Sequence, residues 1–305
     1  MAAEVDFRWI PCASRSELLM AVADADVIMS CGSHIDGEVL RTATRCRMVS
    51  RYGAGIDTID LEAAEQLGIV VTNTPSATVE EVAVHALALM LALQRNLKFL
   101  DRAVSAGEWH RRRERPSPRL STTTLGVIGV GRIGIALAER ARALGMRTLV
   151  LDRTREELAA RHGLTRVPFD VLLAESDAVS LHVPLTEATR HLIGWRELTL
   201  MKPSAVLINT SRGAVIHEDA LAEALENGLI AGAGLDVFEQ EPLASGSRLA
   251  QSDRVICTPH SGSHSVVGSA QQHHDAVDAV LAVLSGRRPR HPVGSERAMS
   301  RLGLR

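Results

Sequence analysis

Short apolar runs rich in Val, Ile and Leu alternate with amphipathic stretches along almost the whole chain, and that alternation sets the fold class. In the C-terminal two-thirds, strands are predicted at residues 125–130, 148–152, 178–183, 205–210, 232–237 and 254–258. Helical spacing lies between them, as at 136–143 and 219–227. Such alternation closes by right-handed crossovers into a parallel sheet covered by helices on both faces. The N-terminal third repeats the pattern in miniature, with strands at 5–9, 26–30, 47–52 and 69–72 and helices at 15–23, 37–44 and 61–67. Two longer helices, about 79–106 and about 266–285, lie where the regions meet and read as a hinge. Within the first of these, the apolar segment 82–93 contains His85 and is too short to cross a bilayer, so it reads as a buried helix.

At 305 residues the chain exceeds what one core usually fills, so two domains are expected. The pattern places a small discontinuous domain at 1–95 and 276–305 around an inserted domain at 96–275. With 46% hydrophobic and 23% charged residues the composition is that of a soluble globular protein. A net charge of −2 gives no electrostatic case for nucleic acid or an anionic membrane. The one basic cluster, His110, Arg111, Arg112, Arg113, Arg115 and Arg119, reads as a solvated loop, since no aromatic residues interleave with it. Cys12, Cys31, Cys46 and Cys257 form no CxxC pair, which fits reduced thiols in a cytoplasmic protein. The N-terminus lacks the basic start and apolar core of a signal peptide. His260, His264, His273 and His274 lack clustered cysteine or acid partners, so no metal site is expected.

The most specific motif is Gly129-Val-Gly131-Arg132-Ile133-Gly134, which follows one predicted strand and opens a helix over 132–144. Asp152 ends the next strand. Strand, glycine-rich turn, helix and an acid about 20 residues on form a dinucleotide fingerprint, where a lone GxGxxG would say little. Gly129 allows the tight turn, Gly131 lets backbone approach a pyrophosphate, and Gly134 lets helix and strand pack closely. The helix N-terminus offers unpaired N–H groups to the phosphates, and Asp152 would accept from the adenine ribose. Asp152 would also repel a 2′-phosphate, which favours NAD over NADP even with Arg153 and Arg155 nearby.

Three further segments end predicted strands, where open α/β sheets bind ligands: Ile208 to Gly213, Gly234 to Pro242, and Thr258 to Gly262. They bring Arg212, Glu241 and His260 towards one crevice. A guanidinium, a carboxylate and an imidazole are the set that hydride transfer to a keto acid needs. Arg212 can hold a carboxylate bidentately and polarise the carbonyl. His260 can give the carbonyl oxygen a proton and remove it in reverse, and Glu241 would orient the ring and favour its protonated form. Any one of these residues alone is ordinarily a surface charge or a cap; their order after the fingerprint makes the set specific.

These segments, with Arg51-Tyr-Gly-Ala-Gly-Ile-Asp57, Asn73-Thr-Pro75, Leu181-His-Val-Pro184 and Met201-Lys-Pro203, resemble the D-2-hydroxyacid dehydrogenase family, in the branch of 3-phosphoglycerate dehydrogenase and glyoxylate/hydroxypyruvate reductases. The resemblance covers nearly the whole chain. It implies a Rossmann-type doubly wound domain that binds NAD, inserted into a smaller flavodoxin-like α/β substrate domain. It implies an NAD-dependent oxidoreductase interconverting a D-2-hydroxy acid and its 2-keto acid, with Arg212, Glu241 and His260 in the roles described. Asp236 would contact the nicotinamide carboxamide, and His182, Val183 and Pro184 would line the adenine side. Thr189, Thr210 and Gly262 complete the implied cofactor site, and the backbone N–H groups of Ala54 and Gly55 would hold the substrate carboxylate together with Arg212. A homodimer through the NAD-binding domain is expected.

Departures sharpen the expectation. The family's small domain opens with a strand and helix that have no counterpart here, residues 5–9 aligning with its second strand. Either the natural chain starts upstream or the protein completes that sheet differently. Cys31-Gly32 stands where phosphoglycerate enzymes carry an arginine, while Glu241 and Ala54 stand where formate and phosphite enzymes carry glutamine and lysine. The competing reading is an NADH-sensing, corepressor-like interaction protein with little turnover.

Overall fold

The computed structural model describes residues 5–110, 116–151 and 156–304. The chain divides into two compact units, residues 1–78 with 265–305 and residues 79–264. The boundaries expected at 95/96 and 275/276 therefore move to 78/79 and 264/265.

The discontinuous unit begins with three helix–strand steps whose helices are capped by local side chains. Ser14 accepts from Glu17 N at the start of α1 (Arg15–Val22), Asp36 caps α2 (Gly37–Thr42), and Asp60 caps α3 (Leu61–Leu67). Each cap satisfies N–H groups that a helix cannot pair internally. Between them run β1 (Val27–Ser30), β2 (Met48–Arg51) and β3 (Val70–Thr72), a parallel sheet in the order β1-β2-β3. Residues 5–9 are not a strand, contrary to the sequence pattern: they carry no regular structure and leave Phe7 63% and Trp9 79% exposed. The alternation Val5, Phe7, Trp9 suits a strand, yet β1 pairs only with β2, so no ladder forms on these residues.

The continuous unit starts with α4 (Val79–Gln94) and α5 (Leu97–Ser105), where one helix over 79–106 was expected. The break lies at Asn96, whose φ of 54 is left-handed and cannot continue a right-handed helix. Helix α4 packs Ala83, Ala86, Leu89 and Met90 into the same core as Leu125, Val127 and Leu137, which is why it joins this unit. Next come β4 (Thr124–Ile128), α6 (Arg132–Ala143), β5 (Arg147–Leu151), α7 (Glu156–Arg161), the two-residue β6 (Thr165–Arg166), α8 (Phe169–Glu175) and β7 (Ala178–Leu181). Then follow α9 (Trp195–Leu200), β8 (Val206–Asn209), α10 (Glu218–Glu226), β9 (Gly232–Leu235), α11 (Arg248–Gln251) and β10 (Val255–Cys257). The sheet is all-parallel in the order β10-β9-β8-β7-β4-β5-β6, one short strand more than the sequence pattern shows. Strands β4, β7, β8 and β9 are buried throughout, as a parallel sheet covered on both faces requires. The order of connection reverses between β4 and β7, which is the switch point where doubly wound sheets bind ligands.

The chain returns to the discontinuous unit through α12 (Val266–Leu284) and α13 (Glu296–Arg301). Ala279, Val280 and Val283 of α12 pack on Met48 and Val70, and Ser50 Oγ donates to Ala276 O at 3.1 Å. Among the described residues no helix is long and apolar enough to cross a membrane.

If α4 belongs to the core of the continuous unit, Met90→Ala removes a side chain that is 1% exposed. The expected loss is about 2–5 kcal/mol of that unit's stability, measured by urea unfolding.

Candidate functional site

The turn from β4 into α6 has the geometry that its glycines demand. Gly129 has φ 102, and a Cβ there would overlap the carbonyl of His182. A Cβ on Gly134 would overlap the carbonyl of Gly129 and lie 3.2 Å from Val127 Cγ1, so the helix can approach the strand only without one. Gly131 has ordinary extended backbone as the N-cap of α6, and no side chain caps the helix. Among the described residues the N–H groups of Gly131, Arg132 and Ile133 have no partner. Three open donors at the N-terminus of a 12-residue helix suit a phosphate. Thr210, just past β8, adds a buried hydroxyl with no hydrogen-bond partner among the described residues. Open donors, an orphaned hydroxyl and a glycine-bared turn fit a dinucleotide. Asp152, Arg153, Arg155 and the cluster Arg111, Arg112, Arg113 and Arg115 lie outside the described residues.

Past β7, His182 N donates to Ile128 O at 2.7 Å, and its ring pairs with Ser180 Oγ at 2.9 Å. Burial disfavours the charged ring and pushes its pKa down from 6.5 to about 4, although part of the residue's surface stays accessible. Val183 is half-buried and Pro184 exposed. Thr189 Oγ1 donates to Pro184 O at 2.6 Å and accepts from Thr186 N at 2.8 Å, so this hydroxyl braces its own loop.

Three loops at the C-terminal ends of β8, β9 and β10 carry the remaining groups. After β8, Asn209 is fully buried and ties the turn by donating to Arg212 O at 2.8 Å and accepting from Ser211 N at 3.0 Å. Arg212 Nη1 donates to Ser211 O at 2.7 Å. After β9, Glu241 Oε1 accepts from Phe238 N at 3.0 Å, which leaves Oε2 to meet His260 Nδ1 at 2.8 Å. Both side chains keep solvent access, 38% for Glu241 and 48% for His260. His260 has φ 50, a left-handed conformation uncommon for a residue with a Cβ.

Asp236 holds that conformation in place. It is 2% exposed, and its carbonyl accepts from His260 N at 2.8 Å. Its carboxylate accepts from Thr258 Oγ1 at 2.6 Å, Ser261 N at 2.8 Å and Gly262 N at 2.8 Å. Three of about four acceptor positions on an ionised carboxylate are thus taken by the loop that carries His260. His85 of α4 adjoins this network with Nε2 2.9 Å from Thr258 Oγ1. Sequence reasoning assigned His85 to a buried helix and missed this contact. The available signal was a lone imidazole within an apolar run, which must find a polar partner.

In the discontinuous unit, Ala54 and Gly55 follow β2. Gly53 N donates to Thr74 Oγ1 at 2.9 Å and Asn73 Nδ2 to Ala54 O at 2.7 Å, pinning the loop from both sides. The N–H groups of Ala54 and Gly55 have no partner among the described residues.

A family model described as "D-isomer specific 2-hydroxyacid dehydrogenase, NAD binding domain" matches residues 87–262. A glyoxylate reductase of Thermococcus litoralis is 44% identical over 257 residues, 82% of this chain and 77% of that protein. A glyoxylate reductase of Korarchaeum cryptofilum is 41% identical over 289 residues, 93% of this chain and 87% of that one. The crystal structure of a D-lactate dehydrogenase from Aquifex aeolicus, complexed with NAD and lactic acid, superposes with a TM-score of 0.82 at 34% identity, covering 88% of this chain and 85% of that one.

The buried neutral imidazole of His182 gives stability a pH dependence. Its folded pKa lies below the ordinary value, so the unfolded chain takes up the proton first as pH falls. Its stabilisation is complete above 6.5 and is lost as pH falls towards about 4. The loss is on the order of 3 kcal/mol, and urea unfolding across this window should show it, with a shallower slope for His182→Gln.

Proposed function

The chain belongs to the D-isomer specific 2-hydroxyacid dehydrogenase family, and from that premise we propose that it reduces a short 2-keto acid, glyoxylate or a near homologue, to the 2-hydroxy acid with NADH. The observation that carries this reading is the 2.8 Å contact between His260 Nδ1 and Glu241 Oε2. An ionised carboxylate only accepts, so Nδ1 bears a proton in either charge state of the ring. All proton exchange with substrate then runs through Nε2. The protonated ring donates there during reduction, and the neutral ring accepts there during oxidation. Both groups keep solvent access, which allows the ring to be reprotonated between turnovers.

When bound, NADH supplies the hydride. The open N–H groups of Gly131, Arg132 and Ile133 would hold its pyrophosphate, His182, Val183 and Pro184 would line its adenine side, and Gly129, Gly134, Thr189, Thr210 and Gly262 would complete the site. Asp236 retains one acceptor position for a carboxamide N–H while anchoring the His260 loop. Arg212 binds the substrate carboxylate and polarises the carbonyl, because a guanidinium stays charged and presents paired donors. In the discontinuous unit, the N–H groups of Ala54 and Gly55, which have no partner among the described residues, are donors suited to a carboxylate. The glyoxylate reductase relatives support a small substrate, and Cys31, exposed just past β1, offers no cation for a phosphate.

We also propose that the protein dimerises through the continuous unit. Leu97 and Val104 of α5 are 54% and 56% exposed and share one helix face with Leu100.

Expected outcomes follow from each assignment. His260→Ala should lower turnover by a factor of about 10²–10⁴ with NADH binding nearly intact, and turnover at the wild-type level would remove the proton donor from this residue. Glu241→Gln should lower kcat and keep the KM for glyoxylate, read by NADH oxidation against a panel of glyoxylate, hydroxypyruvate, pyruvate and phosphohydroxypyruvate. No oxidation with any of the four would sink the proposed substrate class. Val104→Asp should shift a dimer to monomer in sedimentation equilibrium.

A further inference from the structure

The hydrogen-bond chain from His85 to Asp236 has a direction that proton counting determines. His85 Nε2 lies 2.9 Å from Thr258 Oγ1 and 3.5 Å from Asp236 Oδ1, while Thr258 Oγ1 lies 2.6 Å from the same carboxylate oxygen. A carboxylate has no proton to give, so the single hydroxyl proton of Thr258 goes to Asp236. What the hydroxyl turns towards His85 is a lone pair. Nε2 therefore carries the proton, whatever the charge on the ring.

The far end of this chain is the loop that presents His260. Asp236 accepts from Ser261 N, Gly262 N and, through its carbonyl, His260 N. Its two carboxylate oxygens and its carbonyl thus bind residues 260–262, and the left-handed backbone at His260 sits inside that clamp. His85 also touches the clamp directly. Its Nε2 lies 3.5 Å from Asp236 Oδ1, and a Cβ added to Gly262 would lie 2.8 Å from Asp236 Oδ2 and 3.3 Å from His85 Cδ2, so imidazole and loop leave no room for a side chain at 262.

We propose that His85 is a positioning residue for the reduction: its Nε2–H fixes the Thr258 hydroxyl, which fixes the Asp236 carboxylate, which sets the orientation of the His260 loop. The proposal rests on His260 being the proton donor. Without the Nε2–H donor, the Thr258 hydroxyl is free to rotate off Asp236. Oδ1 then loses the shortest of its bonds, and the loop loses one of the contacts that keep it in an uncommon backbone conformation. Small displacements of a reacting group matter out of proportion to their size, since proton and hydride transfer both need aligned partners.

The test compares His85→Leu, His85→Gln, Thr258→Val and the Leu/Val double variant in the full chain. The measurements are kcat and KM with glyoxylate, NADH affinity by fluorescence titration, and the thermal midpoint. His85→Leu should lower kcat about 10- to 100-fold while NADH affinity and KM stay within about threefold. His85→Gln, whose amide N–H can reach the same hydroxyl, should restore most of kcat. Thr258→Val should reproduce the loss, and the double variant should be no worse than the poorer single one, because both act through one hydroxyl. Wild-type kcat in His85→Leu, equal losses for the Leu and Gln variants, or additive losses in the double variant would each overturn the proposal. If the Leu variant does not fold, the Gln and nearly isosteric Thr258→Val variants decide it: both at wild-type kcat would overturn it, and a loss confined to Thr258→Val would uphold it. A His260→Ala protein that keeps turnover would instead remove the reading on which the proposal rests, whatever His85 does.

Discussion

A carboxylate with almost no exposed surface has to fill its lone pairs from within the protein, and Asp236 does so by drawing in the segment that follows β10. Leaving such a charge unpaired costs several kcal/mol, more than the roughly 1–3 kcal/mol strain of one left-handed residue. The backbone of His260 is therefore left-handed because the alternative is an unsatisfied buried anion. The imidazole that meets Glu241 owes its place to this constraint. The proton exchange proposed for Nε2 is thus coupled to a burial problem solved at the end of β9, two strand ends brought together by their parallel pairing.

The nucleotide end of the same unit obeys a steric rule instead of an electrostatic one. Main-chain carbonyls of His182 and Gly129 occupy the space that side chains at 129 and 134 would need. Close approach of β4, α6 and the β7 loop leaves the first N–H groups of α6 bare, and with them a place for negative charge. Thr210 carries a buried hydroxyl without a partner among the described residues, a cost that a folded chain tolerates where a ligand group completes the bond.

The discontinuous unit shows how strongly a strand depends on its neighbour. Its sheet holds three parallel strands, and α12 and α13 supply much of the apolar cover over β2 and β3. Residues 5–9 have the alternation of a strand and large apolar side chains, yet carry no regular structure and stay exposed. Backbone hydrogen bonds make a strand, and alternation only says which face it would bury.

The sequence by itself determined what depends on local order: the strand–helix alternation, the glycine turn, the capped helices and the succession of Arg212, Glu241 and His260 along the chain. Each follows from steric or hydrogen-bonding needs met within a few residues. Tertiary structure alone decided what depends on distant partners. It broke the helix at Asn96, assigned α4 to the continuous unit, denied residues 5–9 a ladder and brought Glu241 within 2.8 Å of His260. It also made His85 a neighbour of Thr258, 173 residues away, a pairing that no periodicity in α4 encodes. Helical spacing tells which residues face inward, but what they meet there is set by how strands and helices stack, and that is a property of the whole unit.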